Sequence, residues 1–413
     1  MNRRLELLQP YPFERLRALL AGVTPPAGLR PISLGLGEPQ HPTPALIKDA
    51  LTANLGALGR YPQALGLKEF RTAVAEWIAR RYLVRVDPDT QVIPLSGTRE
   101  GVFSIAQAAV DPDEPDALVI CPNPFYQVYE GATLLAGAKP YFVNALPARG
   151  FRPDWDAVPE AVWKRTRMVY TCSPNNPIGR VMPLEEWRKL FELADRHGFV
   201  LVSDECYSEI YFDEARPPLG ALTAAKSLGR EGFKRLIVMG SLSKRSSAPG
   251  LRSGFAAGDK EVIARYLQYR TYFGSAMSNA VQLASIAAWR DEKHVIENRR
   301  LYREKFAAFY ERVNPALPLT MPDAAFYFWA DVRSHAGAGD DDAAFARDLF
   351  AATHVTVLPG SYISREAGGI VPGRGFVRMA LVSTVEDAIE AAERVRGFAA
   401  SRVASHAGAA AAR

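Results

Sequence analysis

Six apolar runs of strand length recur through the first two-thirds of the chain, at residues 91–95, 117–121, 140–143, 168–172, 200–202 and 236–239. Helical patterns lie between several of them. The clearest carries Leu184, Trp187, Leu190, Phe191 and Ala194 and is closed by Gly198. Nearly continuous apolar strands that alternate with helices are the pattern of a parallel sheet covered on both faces. The expected fold is therefore α/β, a mostly parallel sheet between helices. Ligands of such a sheet bind at the carboxyl ends of its strands, so the residues that follow each run are the candidates for chemistry.

Beyond about residue 290 the pattern changes. A long charged helix over 292–313 leads to Phe326-Tyr327-Phe328-Trp329, a helix near 341–352, short strands at 355–358 and 376–381, and a final helix over 385–398. This predicts a second, smaller α+β domain. Ahead of the sheet, 14–21 reads as a short amphipathic helix. Residues 32–39 read as a strand ending in glycine, and Thr43-Pro44 as N-cap and first residue of a helix to about 55. The expected division is an N-terminal arm with part of the small domain over 1–42, a large domain over 43–289 and a small C-terminal domain over 290–403. The alanine-rich, uncapped end, 404–413, is expected to be disordered.

A formal charge of +5 arises from interspersed acids and bases, with no basic block, which argues against nucleic-acid or membrane-surface partners. Cys121, Cys172 and Cys206 share no CxxC spacing and sit in strand-like runs, as core thiols of a reducing compartment do, and no metal is expected. The start lacks the apolar stretch of a signal peptide, and no segment is long enough to span a bilayer, so a cytoplasmic protein is expected.

The run 236–239 opens onto Ser241-Leu242-Ser243-Lys244, with Arg252 eight positions after the lysine. A lysine among small polar residues at a strand end can be desolvated until its neutral amine is populated, and that amine forms a Schiff base with an aldehyde. The serines and Arg252 suit a phosphate. A surface loop with an incidental lysine is the other reading. Each remaining strand end is equally two-sided. Gly97-Thr98-Arg99 is an ordinary helix cap or a phosphate site at a helix N-terminus. The aromatics of Asn123-Pro124-Phe125-Tyr126-Gln127-Val128-Tyr129 pack in a core or stack on a flat ring. Ser173-Pro174-Asn175-Asn176-Pro177-Ile178-Gly179 is a structural turn or a clamp. The acid in Asp204-Glu205-Cys206-Tyr207 caps a helix or meets a cation such as a protonated ring nitrogen.

In order and spacing, Gly97-Thr98-Arg99, Tyr126, Asn176-Pro177-x-Gly179, Asp204-x-x-Tyr207, Ser241-x-Ser243-Lys244, Arg252 and Arg378 resemble the cofactor site of fold-type-I pyridoxal phosphate aminotransferases. The resemblance runs from Gly37-Glu38-Pro39 to the final helix. Ile178 departs from it, because the family usually carries threonine there. Four further stretches, 7–14, 123–131, 241–254 and 358–362, are similar to bacterial N-succinyldiaminopimelate aminotransferases.

The resemblance implies that Lys244 anchors pyridoxal phosphate and moves the substrate proton, with Asp204 paired to the pyridine nitrogen and Tyr207 and Asn176 bonded to the ring oxygen. It implies Tyr126 stacked on the ring, and Ser241, Ser243, Arg252 and the backbone of Gly97, Thr98 and Arg99 around the phosphate. Arg378, with Gly37 and Asn176, would take the substrate α-carboxylate. Tyr61 would reach the phosphate of a second subunit, which implies a homodimer with shared sites. The reaction implied is amino transfer between N-succinyl-diaminopimelate and 2-oxoglutarate. The alternatives are an aspartate, alanine or aromatic aminotransferase, or a carbon–sulfur lyase on the same fold. A transcription regulator with an aminotransferase-like domain is set aside, because roughly 30 residues ahead of Gly37 are too few for a winged-helix reader. The cation for the distal carboxylates stays open among Arg60, Arg245, Arg365 and Arg374, and His41 is read as structural.

Overall fold

A computed structural model describes residues 1–335 and 341–411. Among the described residues twelve strands form three sheets: β1 (Ile32–Ser33), β2 (Val92–Leu95), β3 (Leu118–Asn123), β4 (Lys139–Asn144), β5 (Thr166–Cys172), β6 (Val200–Asp204), β7 (Leu236–Ser241), β8 (Gly254–Gly258), β9 (Tyr327–Asp331), β10 (Val355–Thr356), β11 (Leu358–Pro359) and β12 (Phe376–Ala380). The largest sheet has seven strands in the order β2-β8-β7-β6-β5-β3-β4. All pairs from β7 to β4 are parallel, and β8 runs antiparallel to both β2 and β7.

The apolar runs are continuous because both faces of this sheet are buried. Leu236 and Val238 point into one core with Trp77, Trp187 and Phe255. Ile237 and Met239 point into the other with Val102, Tyr129 and Tyr170. Successive side chains of a strand face opposite sides, so each face needs its own helical cover. On one face that cover includes Leu184–His197, with Glu185 and Glu186 in its first turn, Arg196 and His197 in its last, and Gly198 left-handed at its end.

The six runs that read as strands are strands. One strand was not legible. Gly254-Phe255-Ala256-Ala257-Gly258 looks too small and too glycine-rich for a sheet interior. Its smallness is what lets it fit: a Cβ at Gly254 would press on the Gly240 carbonyl, and one at Gly258 on Leu236. The chain leading into β8 returns to Ser241, whose hydroxyl donates to the Ser253 carbonyl at 2.9 Å.

The remaining strands belong to two small sheets over a third core built from Phe306, Phe309, Phe328, Leu349 and Val395 among others. β1 pairs in parallel with β10, and β11-β12-β9 form an antiparallel sheet. The helix expected from Pro44 starts one residue later, at Ala45, with Pro44 in extended backbone as its cap. The last helix runs Val385–Ala411. The tail 404–413, for which disorder was expected, is helical over its described part; alanine is the strongest helix former. Residues 412–413 lie outside the described residues.

Candidate active site

Cys172, Asp204 and Met239 stand abreast on three parallel strands, so the chain leaves β5, β6 and β7 at one level. A cavity of about 540 Å³ opens there, between these strand ends and the small sheets. Thr98, Arg99, Tyr126, Asn176, Asp204, Tyr207, Ser243, Lys244, Arg252, Gly37 and Arg378 all line it. Gly97 and Ser241 lie immediately behind, Gly97 against Arg252 and Ser241 bonded to Ser243. Of the expected residues only Tyr61 is elsewhere, fully exposed on the surface.

Lys244 sits in the short helix Leu242–Arg245, capped by the Ser241 hydroxyl, which accepts from Ser243 N at 3.0 Å. Its Nζ donates to the Gly37 carbonyl at 2.5 Å. Burial brings the amine down to about 8 from 10.5, with the Arg378 and Arg252 charges adding to the effect. A lysine held there is a nucleophile near neutral pH.

Asp204 is buried, and no cation pairs with it among the described residues. The Tyr129 hydroxyl donates to Oδ2 at 3.1 Å and Cys206 N to Oδ1 at 3.3 Å. Burial pushes the carboxyl up, and these donors pull it partly back. The Lys244 charge also acts on it, but a desolvated carboxylate with no cation in hydrogen-bond contact is disposed to take up a cationic partner. Tyr129 is fixed in turn by stacking on Tyr170, ring centroids 4.4 Å apart.

On the opposite wall Arg378 is buried in β12. Nη1 donates to Asn176 Oδ1 at 2.9 Å and Nη2 to the Gly35 carbonyl at 2.7 Å, while Nε is buried without an acceptor. At the other end the left-handed Gly97 opens the helix Thr98–Ala109. A Cβ there would overlap the Arg252 guanidinium, which donates to the Ser96 and Pro249 carbonyls at 2.9 Å each. Free helix-start N–H groups, an arginine and serine hydroxyls meet at this end, as a phosphate requires.

A family model for aminotransferases of class I and II matches residues 30–395. The chain belongs to this family. It is therefore a pyridoxal phosphate enzyme, and the buried unpaired acid, the desolvated lysine and the glycine cradle fit that cofactor. Among similar aminotransferases, the LL-diaminopimelate aminotransferase of Desulforudis audaxviator is 34% identical over 400 residues, covering 96% of this chain and 97% of the relative. An aminotransferase structure from Neisseria meningitidis superposes with TM-score 0.92 at 49% identity, over 96% of this chain and 100% of that one. A Thermus thermophilus aspartate aminotransferase mutant reaches 0.84 at 27%, over 96% and 99%.

The structure also decides among the residues that the sequence left open. Arg245 is fully buried between Trp77 and Trp289 and bonded to the Ala288 carbonyl and Glu292, away from the cavity of this aminotransferase. Arg365 is held in a fork by Glu130. Arg60 is exposed, and Arg374 borders a separate polar cavity. His41 bonds Asn298 at 2.7 Å through Nδ1 and Lys305 at 2.7 Å through Nε2, and burial holds it neutral, down to about 4. Asn298 in turn donates to the Lys244 carbonyl at 3.1 Å, so this network fixes the backbone of the lysine. Ile178 packs with the cluster of Leu16, Trp329 and Ile363 beside the cavity.

Sequence reasoning missed Tyr129, Cys206 and Tyr327, and also Tyr11, Pro12 and Phe13, which close one side of the cavity. Tyr129 and Cys206 lay within quoted motifs, three residues from Tyr126 and next to Tyr207. For Tyr327 the sequence holds only an aromatic run.

Proposed function

We propose that this aminotransferase exchanges the amino group of N-succinyl-diaminopimelate with 2-oxoglutarate, glutamate being the donor in the biosynthetic direction. The observation that carries an amino-acid substrate is Arg378, a buried guanidinium in the cavity wall that Asn176 and Gly35 fix and that has no carboxylate partner among the described residues. A substrate carboxylate there would supply the missing counter-charge, a charge-assisted contact of about 1.5–3 kcal/mol. The diaminopimelate skeleton is supported by the stretches at 7–14, 123–131, 241–254 and 358–362, and by the activity for which the relative from Desulforudis audaxviator is named. That name specifies the unsuccinylated LL-diaminopimelate, which is the second reading.

Bound pyridoxal phosphate supplies an electron sink for the substrate Cα. Lys244 Nζ, neutral above about pH 8, would hold the cofactor and then take the proton from the substrate Cα as general base and return it as general acid. Asp204, kept dry by Tyr129 and the strand ends, would hold a proton on the ring nitrogen. Tyr207 and Asn176 would donate to the ring oxygen, Tyr126 would cover a ring face, and Ser241, Ser243, Arg252 and the Gly97–Arg99 backbone would bind the phosphate. Gly37 and Arg378 orient the substrate.

A homodimer is part of this reading. Leu55, Leu58, Tyr61, Tyr272 and Phe273 are large, apolar and exposed, and Tyr61 would reach a partner's phosphate end. Among the described residues no helix is long and apolar enough to cross a membrane, and a cytoplasmic enzyme is the reading we favour.

The test is glutamate-dependent amination by the purified holoenzyme, with the 2-oxo forms of succinylated and free diaminopimelate beside oxaloacetate, pyruvate and phenylpyruvate. Preference for the succinylated acid supports the first reading, and preference for the free acid the second. Good turnover of oxaloacetate with neither diaminopimelate form accepted overturns both. Pyruvate release from cystathionine would identify the lyase instead.

A further inference from the structure

Between the cofactor end and the carboxylate wall lies a residue with no assigned role. Tyr327 is buried in β9, and its hydroxyl is 2.8 Å from the Tyr207 hydroxyl. The Arg378 guanidinium carbon stands 4.5 Å above the centre of its ring. The same hydroxyl fills the space where a Cβ of Gly37 would go. Gly37 in turn receives the Lys244 amine on its carbonyl. Register explains the placement: in the β9–β12 ladder Tyr327 faces Ala380 and Trp329 faces Arg378. Tyr327 and Arg378 are therefore diagonal neighbours, within reach of an aromatic ring.

We propose that Tyr327 is a positioning residue that couples the two ends of the site: its hydroxyl donates to Tyr207, and its ring carries Arg378. This rests on the reading that Tyr207 faces the cofactor oxygen and Arg378 the substrate carboxylate.

Two phenols bonded to each other have two protons, and one is shared between them. Neither hydroxyl has another partner among the described residues, and the geometry allows either to donate; in the proposed arrangement the Tyr327 proton goes to Tyr207. Tyr207 is then free to give its own proton to an oxygen in the cavity. The order of acidity agrees. Burial raises both phenols; the Arg378 charge, and then the bond between the two hydroxyls, restrain Tyr327, which reaches about 12, while Tyr207 goes well above its ordinary value. The more acidic phenol is the better donor, and a chain of such bonds polarises along its length. On the ring face, a guanidinium over an aromatic plane is held in orientation as well as attracted.

The two functions separate in two variants of the holoenzyme. Tyr327→Phe keeps the ring and loses the proton. The pH midpoint of its cofactor absorbance is expected to rise by about half a unit, and kcat to fall roughly threefold to tenfold with KM for the amino acid little changed. Tyr327→Leu is expected to add a KM increase of about threefold to tenfold, because Arg378 loses its support. Tyr207→Phe should raise the midpoint further than Tyr327→Phe. The double variant should match Tyr207→Phe alone, because Tyr327 acts through Tyr207.

A midpoint in Tyr327→Phe equal to that of the wild type, or a double variant shifted beyond Tyr207→Phe, overturns the hydroxyl coupling. Equal KM in the Phe and Leu variants overturns the role of the ring. Should Leu fail to fold, Phe still decides the hydroxyl. A midpoint that does not move in Tyr207→Phe shows instead that Tyr207 does not face the cofactor, and the coupling falls with it.

Discussion

The two ends of the cavity are built in different ways. At the cofactor end, Asp204, Tyr207, Ser241, Ser243 and Lys244 follow strands that lie side by side in parallel register. Each residue comes from a short stretch, and the sheet puts the stretches together. At the carboxylate end Arg378 bonds Asn176, 202 residues away, and Gly35, 343 residues away, and Tyr327 fills the gap behind Gly37. No local segment holds that end, so it depends on the docking of β1, β9 and β12 over the strand ends. The first end is therefore expected to be robust and to act on every substrate alike. The second should be the one at which substrates are distinguished.

The sharpest separation is at the lysine. Lys244→Ala should lower turnover by several orders of magnitude for every amino acid tried and abolish the imine absorbance, with circular dichroism unchanged. A variant transaminating at near wild-type rate would remove Lys244 from the chemistry.

Arg378→Gln should act from the other side. We expect kcat/KM to fall about tenfold to a hundredfold, mostly through KM, while the absorbance of bound cofactor is retained. Loss of cofactor binding in this variant would erase the distinction between the ends.

Gly37→Ala places a methyl group on the Tyr327 hydroxyl. Because the wall must shift, we expect kcat/KM to drop about tenfold, with cofactor affinity within twofold of wild type. Ser241→Ala is the mirror case, removing one phosphate donor among several. Cofactor affinity, measured by titration of the apoprotein, should weaken up to tenfold, with KM for the amino acid unaltered.

The smallest effect is one of pH. The Lys244 amine loses its proton near pH 8 instead of 10.5, so the neutral form grows as pH rises through 8. The rate at which the apoprotein captures pyridoxal phosphate should rise with pH and level off above about 9. A rate still climbing steeply at pH 10 would mean that the amine is not desolvated.

The same contrast governs what was legible beforehand. Ser241-x-Ser243-Lys244 and Asp204-x-x-Tyr207 could be read because residue types and spacings suffice once each motif is placed at a strand end. β8 could not, since a strand of glycine and alanine has no apolar signature, and its place is secured by the backbones that it lets approach. Arg245 misled for the opposite reason: a cation next to the lysine in sequence points into the core between two tryptophans. Tyr129 and Tyr327 resemble any buried tyrosine until their hydroxyls are seen on Asp204 and Tyr207.

By itself the sequence determined the alternation of strands and helices and the level at which functional groups emerge, because hydrophobic periodicity and strand polarity are local properties. Tertiary structure alone decided which arginine is buried in the cavity wall, which acid lies beside no cation in hydrogen-bond contact and which phenol stands between the two ends. Those facts depend on burial and on the geometry of partners hundreds of residues apart, and no spacing along the chain encodes them.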